Sequence, residues 1–147
     1  MIERSGDLWS TPADVRVITT NGFIKTNGLA VMGRGVAAQA VREWPSFPQV
    51  LGRRLSKYGN HIHEINFHDG IRSATFLTFP VKHNWWEDAD LVLIAQSVGE
   101  LVDYTKSHPN LEIVMPRPGC GNGRLLWKNV KPFMTKLPDT VTVLHYR

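Results

Sequence analysis

Apolar and polar residues are arranged along the chain in short segments of two kinds. In the first kind, apolar and β-branched residues run together, as in DVRVITT at residues 14–20. This composition is typical of strands in a sheet that is covered on both faces. Strands are predicted at 14–20, 61–67, 74–79, 111–115 and 140–145, and the second and third form a hairpin around His68-Asp69-Gly70.

In the second kind of segment, apolar residues recur every three or four positions, which indicates helices with one buried face. The clearest example is 88–104, whose first turn is rich in acidic residues that the helix dipole favours. Its apolar face consists of Leu91, Ile94, Ala95, Val98, Leu101 and Val102. Further helices are predicted at 35–44, at about 48–57, and through Val130, Phe133, Met134 and Leu137.

Strands that alternate with helices predict an α/β domain of three layers, α/β/α, with a central mixed sheet. Ligands of such sheets bind at the carboxyl ends of the strands. Two glycine-rich segments follow predicted strands, and we therefore expect them at the ligand-binding edge.

Composition limits the classes of protein that remain. The 147 residues carry 17 Lys and Arg against 13 Asp and Glu, a net charge of +4, which permits an anionic partner without specifying one. They are predicted to form one domain over 1–147. A single cysteine, Cys120, excludes an intramolecular disulfide and suits a reducing compartment. No apolar run is long enough for a membrane span, and the charged N-terminus is unlike a signal peptide. We expect a cytoplasmic protein.

The first glycine-rich segment is GLAVMGRG at residues 28–35, directly before a predicted helix. Glycine lets the backbone approach a ligand closely, and the free amides at the start of a helix attract anions. The segment is neither a Walker loop nor a dinucleotide-binding fingerprint. A tight turn without a ligand is the alternative interpretation.

The second segment, MPRPGCGNG at residues 115–123, follows a buried strand. Its alternating glycines can present successive amides as a concave site for phosphate oxygens. Two such loops in one small domain suggest a diphosphate bound between them, whereas flexible connections are the alternative.

A third segment, FPVKHNWW at residues 79–86, combines a lysine with two tryptophans outside any periodic pattern. The tryptophans could stack on a base or a sugar. Partial desolvation of Lys82 would lower its pKa, as an amine nucleophile or a general acid requires. The alternatives are that Trp85 and Trp86 cover the core and that Lys82 is solvated.

Other kinds of catalytic site find less support. Of the six histidines, His61 and His63 would share one face of a strand, with His68 nearby, but the motifs of zinc sites are absent. We therefore expect surface histidines and no metal. No serine has the Gly-x-Ser-x-Gly context of a hydrolase nucleophile.

Several motifs, taken in order along the chain, resemble those of macrodomains. They are Gly6-Asp7-Leu8-Trp9, the strand ending at Asn21, Val31-Met32-Gly33-Arg34-Gly35-Val36-Ala37, Phe79-Pro80-Val81-Lys82-His83-Asn84-Trp85 and Pro118-Gly119-Cys120-Gly121-Asn122-Gly123-Arg124-Leu125-Leu126-Trp127. The resemblance covers nearly the whole chain. It is greatest to the DNA-directed antitoxin macrodomains of the DarG type and to the related terminal ADP-ribose protein glycohydrolase.

This resemblance implies a surface cleft that holds ADP-ribose. Asp7 would accept a hydrogen bond from the adenine amine, Asn21 would meet the distal ribose, and Lys82 matches the family's catalytic lysine. Lys82 and Asn21 are thus the predicted catalytic residues. The predicted ADP-ribose-binding residues are Asp7, Leu8, Met32, Gly33, Arg34, Gly35, Val36, Pro118, Gly119, Cys120, Gly121, Asn122 and Gly123.

The sequence also departs from the family pattern. The protein-directed glycohydrolase has an acidic residue where this chain has Gly123, whereas the DNA-directed branch has glycine there. Ile18 replaces the earlier of the family's two asparagines, and the stretch 22–29 is longer than usual.

The resemblance therefore implies a hydrolase that removes ADP-ribose from nucleic acid, with thymidine-linked ADP-ribose in DNA as the expected substrate. Lys82 would attack the anomeric carbon or the ring-opened aldehyde as an amine, or protonate the leaving group as an ammonium. The alternatives are a non-catalytic ADP-ribose reader and a hydrolase of ADP-ribose 1″-phosphate or O-acetyl-ADP-ribose. We expect a monomer that needs no cofactor and has no membrane partner.

Overall fold

A computed structural model describes residues 1–146 and contains one six-stranded sheet. Its spatial order is β1-β6-β5-β2-β4-β3, and every neighbouring pair is parallel except β3 and β4. The strands are β1 (Ile2–Ser5), β2 (Val15–Asn21), β3 (Glu64–His68), β4 (Ser73–Lys82), β5 (Ile113–Pro116) and β6 (Val141–His145). The predicted mixed sheet and the β3–β4 hairpin are confirmed.

Four helices connect these strands: α1 (Gly35–Glu43), α2 (Phe47–Tyr58), α3 (Leu91–Ser107) and α4 (Trp127–Met134). Each agrees with a predicted helix to within a few residues. Helix α3 begins at Leu91 rather than at 88, because the Asp90 side chain accepts a hydrogen bond from the Val92 amide and caps the helix there. Helix α4 ends at Met134, so Leu137 lies beyond it. None of the helices in the described residues is long and apolar enough to cross a membrane.

The helices cover both faces of the sheet, as the three-layer prediction requires. Along β2, Val15 and Val17 join the core cluster that contains residues of α3 and α4. Ile18 points to the opposite face and joins the cluster that contains residues of α1 and α2. This alternation follows from the period of two along a strand, and it confirms α/β/α layering.

The first strand was not predicted from the sequence. Its residues, IERS, are largely polar and mostly exposed, so they show no apolar pattern. The strand lies at the edge of the sheet beside β6, where the Met1 ammonium donates to the Leu137 carbonyl at 2.7 Å. Strand β4 also continues three residues past its predicted end and thereby reaches Lys82.

The end of β4 is brought next to the end of β2. The register pairs Thr20 with Pro80 and then Asn21 with Lys82, so an irregularity skips one residue of β4. Helix α1 begins at Gly35, in the segment that follows β2. The last residues of two central strands and the start of one helix therefore meet at one edge of the sheet.

Candidate functional site

A cleft of about 580 Å³ opens at this edge. Its walls come from the last residues of β2 and β4, the segment 31–37, and residues 121–123 of the second glycine loop. The two glycine loops face each other, since a Cβ added to Gly35 would lie 3.4 Å from the side-chain nitrogen of Asn122. A volume of this size accommodates a small-molecule ligand.

Lys82 ends β4 and projects its amine into the mouth of the cleft. Its Nζ donates to the Asn122 carbonyl at 3.2 Å and to the Trp85 carbonyl at 3.5 Å. Burial lowers the pKa of Lys82 below its ordinary value, and the positive charges of Arg34 and Arg124 lower it further, against an opposing effect of Asp88. The amine is thus held in place, and it loses its proton more readily than a solvated lysine.

The charged side chains that line the cleft are all cationic. They are Lys25, Arg34, Lys82 and Arg117, and among the described lining residues there is no Asp, Glu or His. A positively charged wall favours an anionic ligand such as a diphosphate. No carboxylate lines the cleft, and Lys82 is a partly buried lining residue whose pKa is lowered.

Asn21 connects the end of β2 to the loop before α1. Its Nδ2 donates to the Val31 carbonyl at 3.1 Å, and its Oδ1 accepts from the Phe23 amide at 3.0 Å. An amide side chain can make four hydrogen bonds, so one donor and one lone pair remain for a ligand. The two contacts that the Asn21 side chain makes within the protein position the first glycine loop whether or not a ligand is bound.

The first glycine loop leaves the start of α1 open. Arg34 is the N-cap residue, and its side chain makes no capping hydrogen bond. A Cβ added to Gly33 would meet nothing within 4 Å, and Gly35 has a φ of +57°, a conformation that favours glycine. The first amides of α1 are therefore available to oxygens of a ligand in the cleft.

The second glycine loop is tightly packed at Gly123. A Cβ there would lie 2.5 Å from the Gly119 carbonyl oxygen and 2.7 Å from the Ala89 Cβ. The Leu125 amide donates to that Gly119 carbonyl at 2.9 Å, which fixes it. No side chain fits at position 123 without rebuilding the loop, so the lack of an acidic residue there is built into the backbone.

Comparison with known proteins identifies the architecture. No family model matches the chain. Two solved structures, the macrodomains of DarG from Mycobacterium tuberculosis and Thermus aquaticus, superpose with TM-scores of 0.77 and 0.78 at 24% and 25% identity. Each superposition covers 99% of this chain, together with 95% of the M. tuberculosis chain and 97% of the T. aquaticus chain. The chain has the macrodomain fold.

Curated relatives of this macrodomain carry names that include an activity. A DNA ADP-ribosyl glycohydrolase of T. aquaticus is 27% identical over 129 residues, and one of M. tuberculosis is 25% identical over 150 residues. These alignments cover 86% and 96% of this chain but 34% and 40% of the relatives, so the macrodomain spans well under half of their length. A Thermosipho africanus DarTG structure in complex with ADP-ribose superposes with a TM-score of 0.78 at 21% identity, covering 97% of this chain and 40% of that one.

The macrodomain cleft brings together most but not all of the residues predicted from the sequence. Its lining includes Asn21, Met32, Gly33, Arg34, Gly35, Val36, Lys82, Gly121, Asn122 and Gly123. Pro118, Gly119 and Cys120 lie outside the lining and shape the loop behind it. Burial raises the pKa of the Cys120 thiol, and its Sγ donates to the Pro118 carbonyl at 3.5 Å, which fits a packing residue.

Asp7 and Leu8 also lie outside the main cleft. Leu8 is 5% exposed and belongs to the core. The Asp7 carboxylate accepts hydrogen bonds from the Trp9 and Ser10 amides and lines a separate shallow depression with Ser5 and Tyr146. The adenine-binding role of Asp7 stays a prediction.

The structure adds lining residues that the sequence interpretation did not single out as binding residues, notably Phe23, Lys25 and Arg117. Phe23 and Lys25 lie in the long stretch after β2, where no periodicity marks them. The signal that could have identified them is an aromatic and a basic residue that follow an Asn-Gly turn closely. Trp85, which also lines the cleft, had been noted as a stacking candidate.

The surface position expected of His63 and the alternative interpretation of Trp85 and Trp86 as core-covering residues both need correction. His63 is not a surface histidine: it is 7% exposed, its Nε2 is hydrogen-bonded to the Gly59 carbonyl at 2.9 Å, and burial lowers its pKa. It also precedes β3, so it does not share a strand face with His61. Trp85 and Trp86 do not cover the core, being 48% and 59% exposed. Across residues 1–146, no three His, Cys, Asp or Glu side chains converge as metal ligands.

Proposed function

We propose that this macrodomain binds ADP-ribose in its cleft and removes it from DNA, with Lys82 acting at the distal ribose and thymidine-linked ADP-ribose as the substrate. The observation that carries the proposal is the Lys82 amine, held 3.2 Å from the Asn122 carbonyl in a cleft between two glycine loops. The names of the curated relatives and the ADP-ribose complex of the T. africanus structure support the choice of ligand and substrate.

The two glycine loops supply the binding. Backbone amides at the start of α1 and in residues 121–123 would hold the diphosphate, and Arg34 and Arg117 would offset its charge. This arrangement fixes the distal ribose against Lys82, and such positioning contributes several kcal/mol to rate acceleration in favourable cases.

Lys82 then has two chemical routes. As a neutral amine it attacks the anomeric carbon as the bond to the base breaks, and the base leaves with the bonding electron pair and takes up a proton from water. The lysine adduct loses its extra proton and opens to an iminium, which water hydrolyses to ADP-ribose and the free amine. As an ammonium it protonates the departing base while water attacks the carbon. The lowered pKa of Lys82 favours both routes, because a smaller proton affinity gives more free amine and a stronger acid.

The decisive experiment follows release of ADP-ribose from an ADP-ribosylated oligonucleotide. The wild type is expected to release it. Lys82→Ala is expected to lose release while still binding ADP-ribose by calorimetry, and Lys106→Ala, at an exposed lysine in α3, serves as the matched control. Borohydride added during turnover would trap a covalent adduct only on the amine route. Wild-type protein that binds ADP-ribose and releases nothing from any conjugate would refute the enzymatic proposal.

A reader of ADP-ribose is the second candidate, because no carboxylate lines the cleft to act as an acid or a base. Calorimetric binding without hydrolysis would support it. ADP-ribose 1″-phosphate and O-acetyl-ADP-ribose belong in the same panel, where release of phosphate or acetate would redirect the substrate assignment.

A further inference from the structure

Three aromatic side chains form a surface cluster beside Lys82, in which Trp85 and Trp86 are exposed and Phe23 is half-buried. Phe23 comes from the stretch after β2, and Trp85 and Trp86 come from the turn after β4. The Phe23 and Trp86 ring centroids lie 5.3 Å apart at 72°, and those of Trp85 and Trp86 lie 5.5 Å apart at 88°. None of the three belongs to either core cluster. The cluster is therefore not explained by packing of the fold.

The geometry of this aromatic cluster leaves ring faces free. Both pairs meet edge to face, and each such contact covers one face of one ring only, whereas a stacked pair covers a face of both rings. Trp85 and Trp86 are also about half exposed. Flat apolar faces that stand in solvent suit a flat ligand group.

The cluster adjoins the proposed reacting centre. The Trp85 carbonyl accepts a hydrogen bond from the Lys82 amine, and Phe23 and Trp85 both line the cleft. Whatever is attached to the distal ribose must leave the cleft at Lys82. It therefore meets these rings first.

The stretch that carries Phe23 is folded rather than loose. Ile24 and Ala30 form an antiparallel bridge, and the Lys25 amide donates to the Leu29 carbonyl at 2.9 Å. The Ala30 amide donates to the Pro48 carbonyl at 3.0 Å, which ties the stretch to α2. The backbone next to Phe23 is thus tied into the fold by hydrogen bonds.

Charges around the cluster point to a polyanion. Lys25 and Arg34 line the same cleft as Phe23 and Trp85. The acidic residues that follow Trp86 have partners within the chain: the Glu87 carboxylate accepts a hydrogen bond from the Asn84 amide, and Asp88 lies 3.8 Å from Arg124. Phosphates are therefore expected to pass near Lys25 and Arg34.

We propose that Phe23, Trp85 and Trp86 form a stacking platform for an unpaired nucleobase of single-stranded DNA next to the modified nucleotide. A base within a duplex has both faces covered by its neighbours and cannot lie on such a ring, whereas a base of a single strand can. The platform deepens the proposed function and rests on it for the identity of the modified substrate.

Trp86 is the best residue for testing the platform, because its ring touches both other members but does not line the cleft. The measured quantity is kcat/KM for an ADP-ribosylated single-stranded oligonucleotide divided by kcat/KM for the ADP-ribosylated mononucleoside. Trp86→Ala is expected to lower this ratio about tenfold, the loss of one base–aromatic stack. Tyr58→Ala removes an aromatic residue of α2 that is 57% exposed, and it should leave the ratio unchanged.

A binding measurement tests the platform without any turnover. Unmodified single-stranded oligothymidylate should quench the intrinsic tryptophan fluorescence of the wild type. The same sequence in a duplex should quench it far less, and Trp86→Ala should weaken the single-strand response. Circular dichroism checks that both variants remain folded.

The outcomes separate the two proposals. Quenching that depends on Trp86, with no release of ADP-ribose from any substrate, would refute the proposed function and leave the platform standing. A wild-type ratio in Trp86→Ala, equal quenching by single strand and duplex, or no oligonucleotide binding at all would overturn the platform. The last result would direct the search to a protein partner instead.

Discussion

Two glycines of the second glycine loop should respond in opposite ways to replacement by alanine. Neither Gly121 nor Gly123 is among the glycines with a positive φ, so the backbone of alanine is compatible with both positions. A Cβ at Gly121 meets nothing within 4 Å, whereas one at Gly123 would lie 2.5 Å from the Gly119 carbonyl oxygen. The pair isolates the steric effect within one loop.

The expected cost at Gly123 follows from what surrounds it. The Gly119 carbonyl is held by the Leu125 amide, and the Gly123 carbonyl accepts from the Ala89 amide at 3.0 Å, so neither moves away freely. Overpacking a well-packed site costs about 1–3 kcal/mol. At roughly 3 °C per kcal/mol for a chain of this size, the midpoint of thermal unfolding should fall by about 3–10 °C.

Gly121→Ala is the matched control for folding. The added Cβ makes no close contact. Alanine also lowers the conformational entropy of the unfolded chain, which stabilises the folded state by about 0.4–1 kcal/mol. Its midpoint should equal or slightly exceed that of the wild type.

Thermal unfolding and calorimetric titration with ADP-ribose together form the assay. Gly123→Ala should lower both the midpoint and the affinity for ADP-ribose, because rebuilding the loop displaces the amides that line the cleft. A Gly123→Ala protein with the midpoint and affinity of the wild type would show that the loop accommodates the added Cβ without loss of stability or binding. The explanation given for the missing acidic residue at this position would then be wrong.

Three further predictions concern charge and hydrogen bonding at the cleft. Asp88→Asn removes a charge that raises the pKa of Lys82, so the inflection in the pH profile of ADP-ribose release should move to lower pH. Arg34→Gln removes a charge that lowers this pKa and should move the inflection to higher pH. Shifts of both variants in the same direction would contradict this assignment. Asn21→Ala removes both side-chain contacts of Asn21 and should lower the free energy of unfolding by about 1–2 kcal/mol in urea, whereas no loss would mean that these contacts are dispensable. Lys25→Ala should reduce the slope of log affinity for single-stranded DNA against log salt by about one, and an unchanged slope would place the phosphates elsewhere.

Much of the fold could be predicted because its signals are local. The apolar composition of β2 and the helical spacing in α3 each arise from the burial of residues that are close together in the sequence. The structure has both elements close to where the sequence predicts them. Strand β1 was missed because an exposed edge strand buries little and has no such pattern. His63 was misassigned because the type of a residue does not reveal whether a neighbouring carbonyl will bond to it in the interior.

The sequence by itself determined the alternation of strands and helices and the two glycine loops, and its resemblance to macrodomains predicted Lys82 as the catalytic residue. Only the tertiary structure decided that Lys82 pairs with Asn21 across two strands, that its amine meets the Asn122 carbonyl, and that no carboxylate lines the described cleft. It also places Phe23 beside Trp86 and Asp7 outside the lining of the cleft. The physical reason is distance along the chain. Hydrophobic periodicity and turn chemistry act between near neighbours, whereas the site joins residues tens of positions apart, and their proximity depends on strand order and register.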